Sequence, residues 1–271
     1  MLIQAKKRFG QNFLKDESVT EKIIQSMSKD DLGIVEIGPG LGDLTRKLLS
    51  VEKKVAAFEI DLELCRYLQR EFAEAIEEKR FILHCSDVLQ KWKEGSLVEY
   101  PYHMVANLPY YIATNIILKG LADPNCRSLI VMVQKEVAEK FAAKEGEKSF
   151  SALSVLAGSI ASVELLFEVG PESFEPPPKV TSAVLKMTKF RDYIASEEGE
   201  GCFENGTTFE QFEAFLRTAF SAPRKILLKN LSRDYSGEKL TQIFEELGIP
   251  RQARPHQLSV SNYHLLFNRL Q

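Results

Sequence analysis

Short apolar runs alternate with helical patterns from about residue 17 to about residue 170. The runs predict strands near Ile34 to Ile37, Val55 to Ile60, Phe81 to Cys85, His103 to Asn107, Leu129 to Gln134, Glu164 to Val169 and Ala183 to Met187. Helices fill the gaps; over Leu62 to Glu77, residues Leu64, Leu68 and Phe72 recur at four-residue spacing and so share one face. Such alternation predicts a mostly parallel, Rossmann-like α/β sheet whose functional loops cluster at the carboxyl ends of the strands. The last two strands are joined by a Pro-rich loop without a helix, which predicts an antiparallel edge pair. Past Lys189 the pattern changes. An acidic stretch, Ser196 to Gly206, reads as a linker, and helical patterns follow near Glu210 to Phe220, Lys225 to Leu231, Glu238 to Leu247 and Val260 to Leu270. The predicted organisation is a sheet domain over residues 1–189 and a small all-helical domain over 190–271.

At 271 residues the chain suits one large domain and one small one. Its net charge is only −3, so the distribution of charge is more informative than the sum. Lys6, Lys7 and Arg8 open the chain, and Arg217, Arg224, Lys225, Lys229, Arg233, Arg251 and Arg254 punctuate its end. Glu197, Glu198, Glu200, Glu204, Glu210 and Glu213 lie between. Basic clusters of this size are usually solvated faces; two of them flanking a base pocket would make a phosphate track whose grip weakens with salt. Cys65, Cys85, Cys126 and Cys202 form no Cys-x-x-Cys pair, and His84, His103, His256 and His264 form no ligand pattern. Neither a disulfide scaffold nor a metal site is expected. With no signal-peptide pattern and no run of membrane-spanning length, a cytoplasmic protein with reduced thiols is expected.

Candidate chemistry gathers at the predicted strand ends. Val35-Glu36-Ile37 runs into Gly38-Pro39-Gly40-Leu41-Gly42, and glycines there let the backbone approach a ligand closely and turn into a helix. A dinucleotide fingerprint would need its third glycine where Asp43 stands, and Glu36 suits a cation better than a pyrophosphate. Glu59-Ile60-Asp61 puts a carboxylate where it can grip a ribose diol, and Ser86-Asp87 ends the third strand with another. Each acid alone reads as a loop residue or a cap. Together, in this order, three acids and a glycine turn describe a pocket for S-adenosylmethionine, whose sulfonium is positive.

Asn107-Leu108-Pro109-Tyr110, followed by Tyr111, ends the fourth strand. The Asn side-chain oxygen and a neighbouring main-chain carbonyl can accept both hydrogens of an exocyclic amine while a Tyr ring stacks on the base. The bland reading is a strand that ends in a proline turn capped by a half-buried Tyr. Phe174, before Pro176, Pro177 and Pro178, has a similar pair of readings: a second stacking face or a core plug.

These motifs resemble those of the ribosomal RNA adenine N6,N6-dimethyltransferases, and the resemblance runs from end to end. It covers Lys7-Arg8-Phe9-Gly10-Gln11-Asn12-Phe13-Leu14, Glu36 to Gly42, Glu59-Ile60-Asp61, Asn107 to Tyr111 and the Phe174 to Ala183 element. Ala219-Phe220, Arg224-Lys225 and Leu258-Ser259 are similar to the housekeeping small-subunit branch. The resemblance implies S-adenosyl-L-methionine as cofactor, held by Asn12, Leu14, Gly38, Glu59 on the ribose, Asp87 on the adenine amine, and Asn107. It implies that Asn107 and the Leu108 carbonyl orient the target amine between Tyr110 and Phe174, and that Arg224 and Lys225 contact RNA. The implied substrate is a pair of adjacent adenosines in the 3′-terminal hairpin of small-subunit (16S) rRNA, within an immature 30S subunit and reached by a monomer. The alternatives are a large-subunit enzyme of the macrolide-resistance type and a catalytically silent assembly factor. Two positions depart from the family pattern. Ala222-Pro223 replaces a more usual Gln-Arg, which puts the detailed RNA contact in doubt, and Ser86 stands where Gly is more common.

Overall fold

The computed structural model describes residues 4–92, 95–194, 201–203 and 206–271. Seven strands make one sheet: β1 (Gly33–Ile37), β2 (Val55–Glu59), β3 (Phe81–Cys85), β4 (Tyr102–Asn107), β5 (Cys126–Gln134), β6 (Ala161–Val169) and β7 (Ser182–Lys189). Their order is β3-β2-β1-β4-β5-β7-β6. β1 to β5 run parallel, and β7 is antiparallel to β5. The central strands are mainly apolar because helices cover both faces, and all five residues of β2 are buried, the closing Glu59 among them. β7 inserts between β5 and β6, which leaves β6 at the edge with an interrupted pattern of burial.

The helix predicted over Leu62 to Glu77 is two helices, Leu62–Glu71 and Ala73–Glu77. Phe72 breaks it. Its backbone leaves helical geometry at φ −112°, and its ring meets Phe81 edge-on with centroids 5.3 Å apart. The four-residue spacing marked this packing face correctly, but periodicity carries no sign of the bend.

Packing divides the chain into two compact units: residues 1–138 with 164–189, and residues 139–163 with 190–271. The first unit ends at Lys189, and residues 139–163 group with the second unit, a difference from a single division at 189/190. Helix Ala152–Ile160 explains the difference. Val155, Leu156, Ala157 and Ile160 are buried, the Leu156 carbonyl accepts from the Tyr193 hydroxyl at 2.7 Å, and a methyl group on Gly158 would stand 3.1 Å from Val260. Partners so remote in sequence leave no local signature.

The second unit is helical, with helices Gly206–Ala219, Leu227–Leu231, Gly237–Glu246 and Val260–Leu270 around a core of Phe212, Phe215, Tyr263 and Phe267. It also holds a short parallel ladder, Asp192–Ile194 with Gly201–Phe203, whose second strand lies inside the stretch expected to be linker. Glu197, Glu198, Glu200 and Glu204 lie outside the described residues. Among the described residues, no helix is long and apolar enough to cross a membrane, and no group of three or more His, Cys, Asp or Glu could hold a metal ion.

Candidate functional site

The carboxyl ends of β1 to β4 open onto one cleft in the first unit. The turn after β1 forms its floor. Gly42 has φ +81°, and a Cβ there would lie 2.5 Å from the Phe72 ring, so no other residue fits. Gly38, at φ +70°, lines the cleft, and a Cβ there would stand in ordinary contact with Pro109 at 3.8 Å.

Carboxylates line the walls. Glu59 is buried at the end of β2; its Oε1 accepts from the Asp61 amide at 2.8 Å and its Oε2 from the Gly40 amide at 3.4 Å. Burial raises its pKa. Burial also pushes the Glu36 carboxyl up to about 8, partly offset by a 2.6 Å hydrogen bond from the Thr45 hydroxyl. Asp87 caps helix Val88–Lys91 by accepting from the Leu89 amide at 2.9 Å. Glu36, Asp43, Glu59 and Asp87 all line the cleft, and no Lys, Arg or His is among its described lining residues. A buried site whose described ionisable groups are all acids favours a cation, which would in turn draw Glu36 into its charged form. The glycine backbone, the apolar walls and these acids fit S-adenosylmethionine by the chemistry of the donor set.

The N-terminal segment closes one side. Asn12 and Leu14 both line the cleft, and Phe13–Leu14 pairs antiparallel with Phe174–Glu175. Asn107, at the end of β4, donates from Nδ2 to the Asn12 carbonyl at 3.2 Å. Its Oδ1 is thereby kept as an acceptor. Leu108 has a buried side chain and an amide bonded to Met132 O at 3.1 Å, so only its carbonyl can serve a ligand. Tyr110 is half-buried, with its hydroxyl 2.7 Å from Ser182 Oγ on β7.

Phe174 departs from the expectation. It is 5% exposed and packs in the sheet core with Leu14, Val169 and Val184, and it does not line the cleft. Its main chain pairs with that of Leu14, and its buried ring helps hold the N-terminal segment to the core, which matches the core-plug reading of its position. The exposed aromatic on the cleft is Tyr111, 60% exposed, whose hydroxyl pKa is raised by burial and by the nearby Asp87 and Glu59 charges. The Tyr-Tyr pair in the sequence was the available signal.

Arg224 and Lys225 are exposed in the second unit, on a loop that the buried Asn230 holds through bonds to the Ala219 carbonyl at 2.7 Å and the Ala222 carbonyl at 3.1 Å. The Pro223 departure is absorbed in this turn, where the Lys225 amide bonds to Ala222 O. Of the N-terminal cations, Lys6 is committed to Asp61 and Glu63, Arg8 is exposed over Phe9, and the Lys7 side chain lies outside the described structure.

The family model for ribosomal RNA adenine dimethylase matches residues 2–271. The chain belongs to this family. It is 51% identical over 98% of its length to ribosomal RNA small subunit methyltransferase A of Sulfurimonas denitrificans, covering 93% of that protein. To the protein of the same name from Campylobacter jejuni strain RM1221 it is 45% identical, over 99% of this chain and 96% of the other. Among solved structures, a dimethyladenosine transferase from Plasmodium falciparum superposes with a TM-score of 0.76 at 24% identity, over 94% of this chain and 95% of that one. The 23S rRNA methyltransferase ErmE gives 0.70 at 23% identity, over 96% and 99%. At those identities the likeness concerns the fold, which is the α/β sheet with helical C-terminal region expected from the sequence.

Proposed function

We propose that this dimethylase-family protein transfers methyl groups from S-adenosylmethionine to N6 of two adjacent adenosines in the 3′-terminal hairpin loop of small-subunit rRNA. Its substrate is an immature 30S subunit, and it works as a cytoplasmic monomer. The observation that carries the reading is the Asn107 amide, oriented by Asn12 at the rim of a cleft lined, among the described residues, by four carboxylates and no cation.

Bound cofactor supplies an electrophilic methyl group on a positively charged sulfonium. Glu59 spends one lone pair of each oxygen on a main-chain amide and keeps the others for ribose hydroxyls. Asp87 faces the adenine amine, and Asn12 and Leu14 close over the ligand. Asn107 Oδ1 and the Leu108 carbonyl accept the two N6 hydrogens of the target base, which favours the pyramidal, nucleophilic form of an otherwise delocalised amine. Tyr110 stacks on the base. No strong base is needed: the N6 proton becomes acidic once the nitrogen is alkylated, and solvent takes it. For the second transfer the base re-enters with its methyl group turned away from the acceptors. Arg224 and Lys225 hold phosphates.

Incubating isolated small and isolated large subunits, each with labelled cofactor, then mapping the modified bases, tests the reading. Two adjacent dimethyladenosines near the 3′ end are expected. A labelled large-subunit adenosine would assign the macrolide-resistance type instead, and binding without label would leave a silent assembly factor.

A further inference from the structure

One carboxylate holds the N-terminal segment down over the cleft. Asp61 Oδ1 accepts from Lys6 Nζ at 2.7 Å and Asp61 Oδ2 from Gln11 Nε2 at 3.2 Å, while Gln11 Oε1 accepts from the Lys6 amide at 2.7 Å. Glu63 adds a second carboxylate 2.8 Å from Lys6 Nζ. Asp61 is 3% exposed and does not line the cleft. Burial works against its charge, but the bonds from Lys6, the Glu63 amide and Gln11 outweigh burial and hold its pKa below the ordinary carboxylate value. A buried carboxylate that takes a bond from two side chains of one segment is a clasp.

The clasped segment carries Asn12, and the Asn12 carbonyl decides which end of the Asn107 amide faces the cleft. An amide presents an acceptor at one end and donors at the other, so a half-turn would set donors against the donors of a target amine. We infer that Asp61 is a positioning residue: through Lys6 and Gln11 it latches residues 6–14, and the latched Asn12 carbonyl fixes Asn107 with its oxygen toward the target base. This rests on the role proposed above for Asn107. It follows that the base acceptor is complete only when the segment that also walls the cofactor cleft is seated, so closure over the cofactor precedes capture of the base.

Asp61→Asn isolates the latch. Asp61 Oδ1 also accepts from the Glu63 amide at the start of helix Leu62–Glu71, a capping role that Asn fills equally well. A carboxylate accepts at both oxygens, whereas Asn accepts at one, so the arms from Lys6 and from Gln11 cannot both be kept. Lys6→Met removes one arm from the other side, and Lys6→Arg retains the ion pair.

The full-length variants are compared in two assays. Trypsin cleavage after Arg8 reports seating of the segment, and steady-state methylation of small subunits at saturating cofactor reports the acceptor. For Asp61→Asn and Lys6→Met, cleavage should accelerate about tenfold or more and kcat should fall about tenfold to a hundredfold, the cost of a misplaced contact near the chemistry, with KM for subunits nearly unchanged. Lys6→Arg should recover most of both losses, and the double variant should be no worse than the poorer single one. Released segments with unchanged kcat would overturn the inference, as would unchanged cleavage in Asp61→Asn. Failure of Lys6→Arg to recover either loss, with KM rising as well, would reduce Asp61 to a structural cap and overturn it too. An inactive wild type would sink the proposed function alone, and the cleavage rates would still decide the latch.

Discussion

The Asn107 side-chain amide donates to the Asn12 main-chain carbonyl at 3.2 Å, joining two residues 95 positions apart. A side chain read as the base acceptor and a residue read as a cofactor contact thus form one unit, in which the main chain of the second orients the first.

Asn107→Ala should abolish detectable methylation while leaving subunit association nearly intact, because one side chain among many phosphate contacts adds little affinity. Asn107→Asp should be as inactive, since a carboxylate cannot donate to the Asn12 carbonyl. Tyr110→Phe should be mild in kcat/KM, its lost bond to Ser182 costing about 0.5–1.5 kcal/mol of folding stability, whereas Tyr110→Ala should lose base stacking of about 1–3 kcal/mol in kcat/KM. Single-turnover rates decide these, and an active Asn107→Ala enzyme would return the motif to a proline turn.

Glu59→Ala should weaken S-adenosylmethionine binding by about 1.5–3 kcal/mol, the range for losing a charge-assisted hydrogen bond. Titration calorimetry measures it directly. Unchanged affinity would remove Glu59 from the ribose and leave it as a brace for the Gly40 and Asp61 amides.

Replacing Arg224 and Lys225 with Ala should weaken association with small subunits and flatten its salt dependence, with cofactor affinity unaltered. Binding isotherms at several salt concentrations test this. If turnover fell while the salt slope held, the pair would not be phosphate contacts.

Phe174→Ala should destabilise the first unit by about 3–5 kcal/mol, as expected for a cavity under a packed ladder, whereas Phe174→Leu should cost far less. Denaturant unfolding gives the values. Full stability with lost methylation would instead place the ring against the base.

Glu36 makes stability depend on pH. With its carboxyl at about 8 in the folded chain against an ordinary 4.5, the folded state holds a proton that the unfolded state has released across that window. Stability of the cofactor-free protein should therefore fall as pH rises from about 5 to about 8, then level off. Glu36→Gln keeps an acceptor for the Thr45 hydroxyl and removes the titration, so its Tm should decline less over the same range. Parallel Tm profiles for the two proteins would show that Glu36 is already ionised when folded.

What the sequence by itself determined is whatever is written in neighbouring residues. β1, β3 and β4 end where the predicted runs end and β2 one residue sooner, at Glu59, and Glu36, Gly38, Glu59, Asp87 and Asn107 come to one rim because a parallel sheet brings successive strand ends together. Tertiary structure decided what depends on distant partners. Phe174 faces the core because Leu14 pairs with it, helix Ala152–Ile160 joins the second unit because Val260 and Tyr193 cover it, and Lys6 serves Asp61 instead of a phosphate. Burial and hydrogen bonding across such separations follow from the closed chain, and no local pattern of hydrophobic and polar residues encodes them.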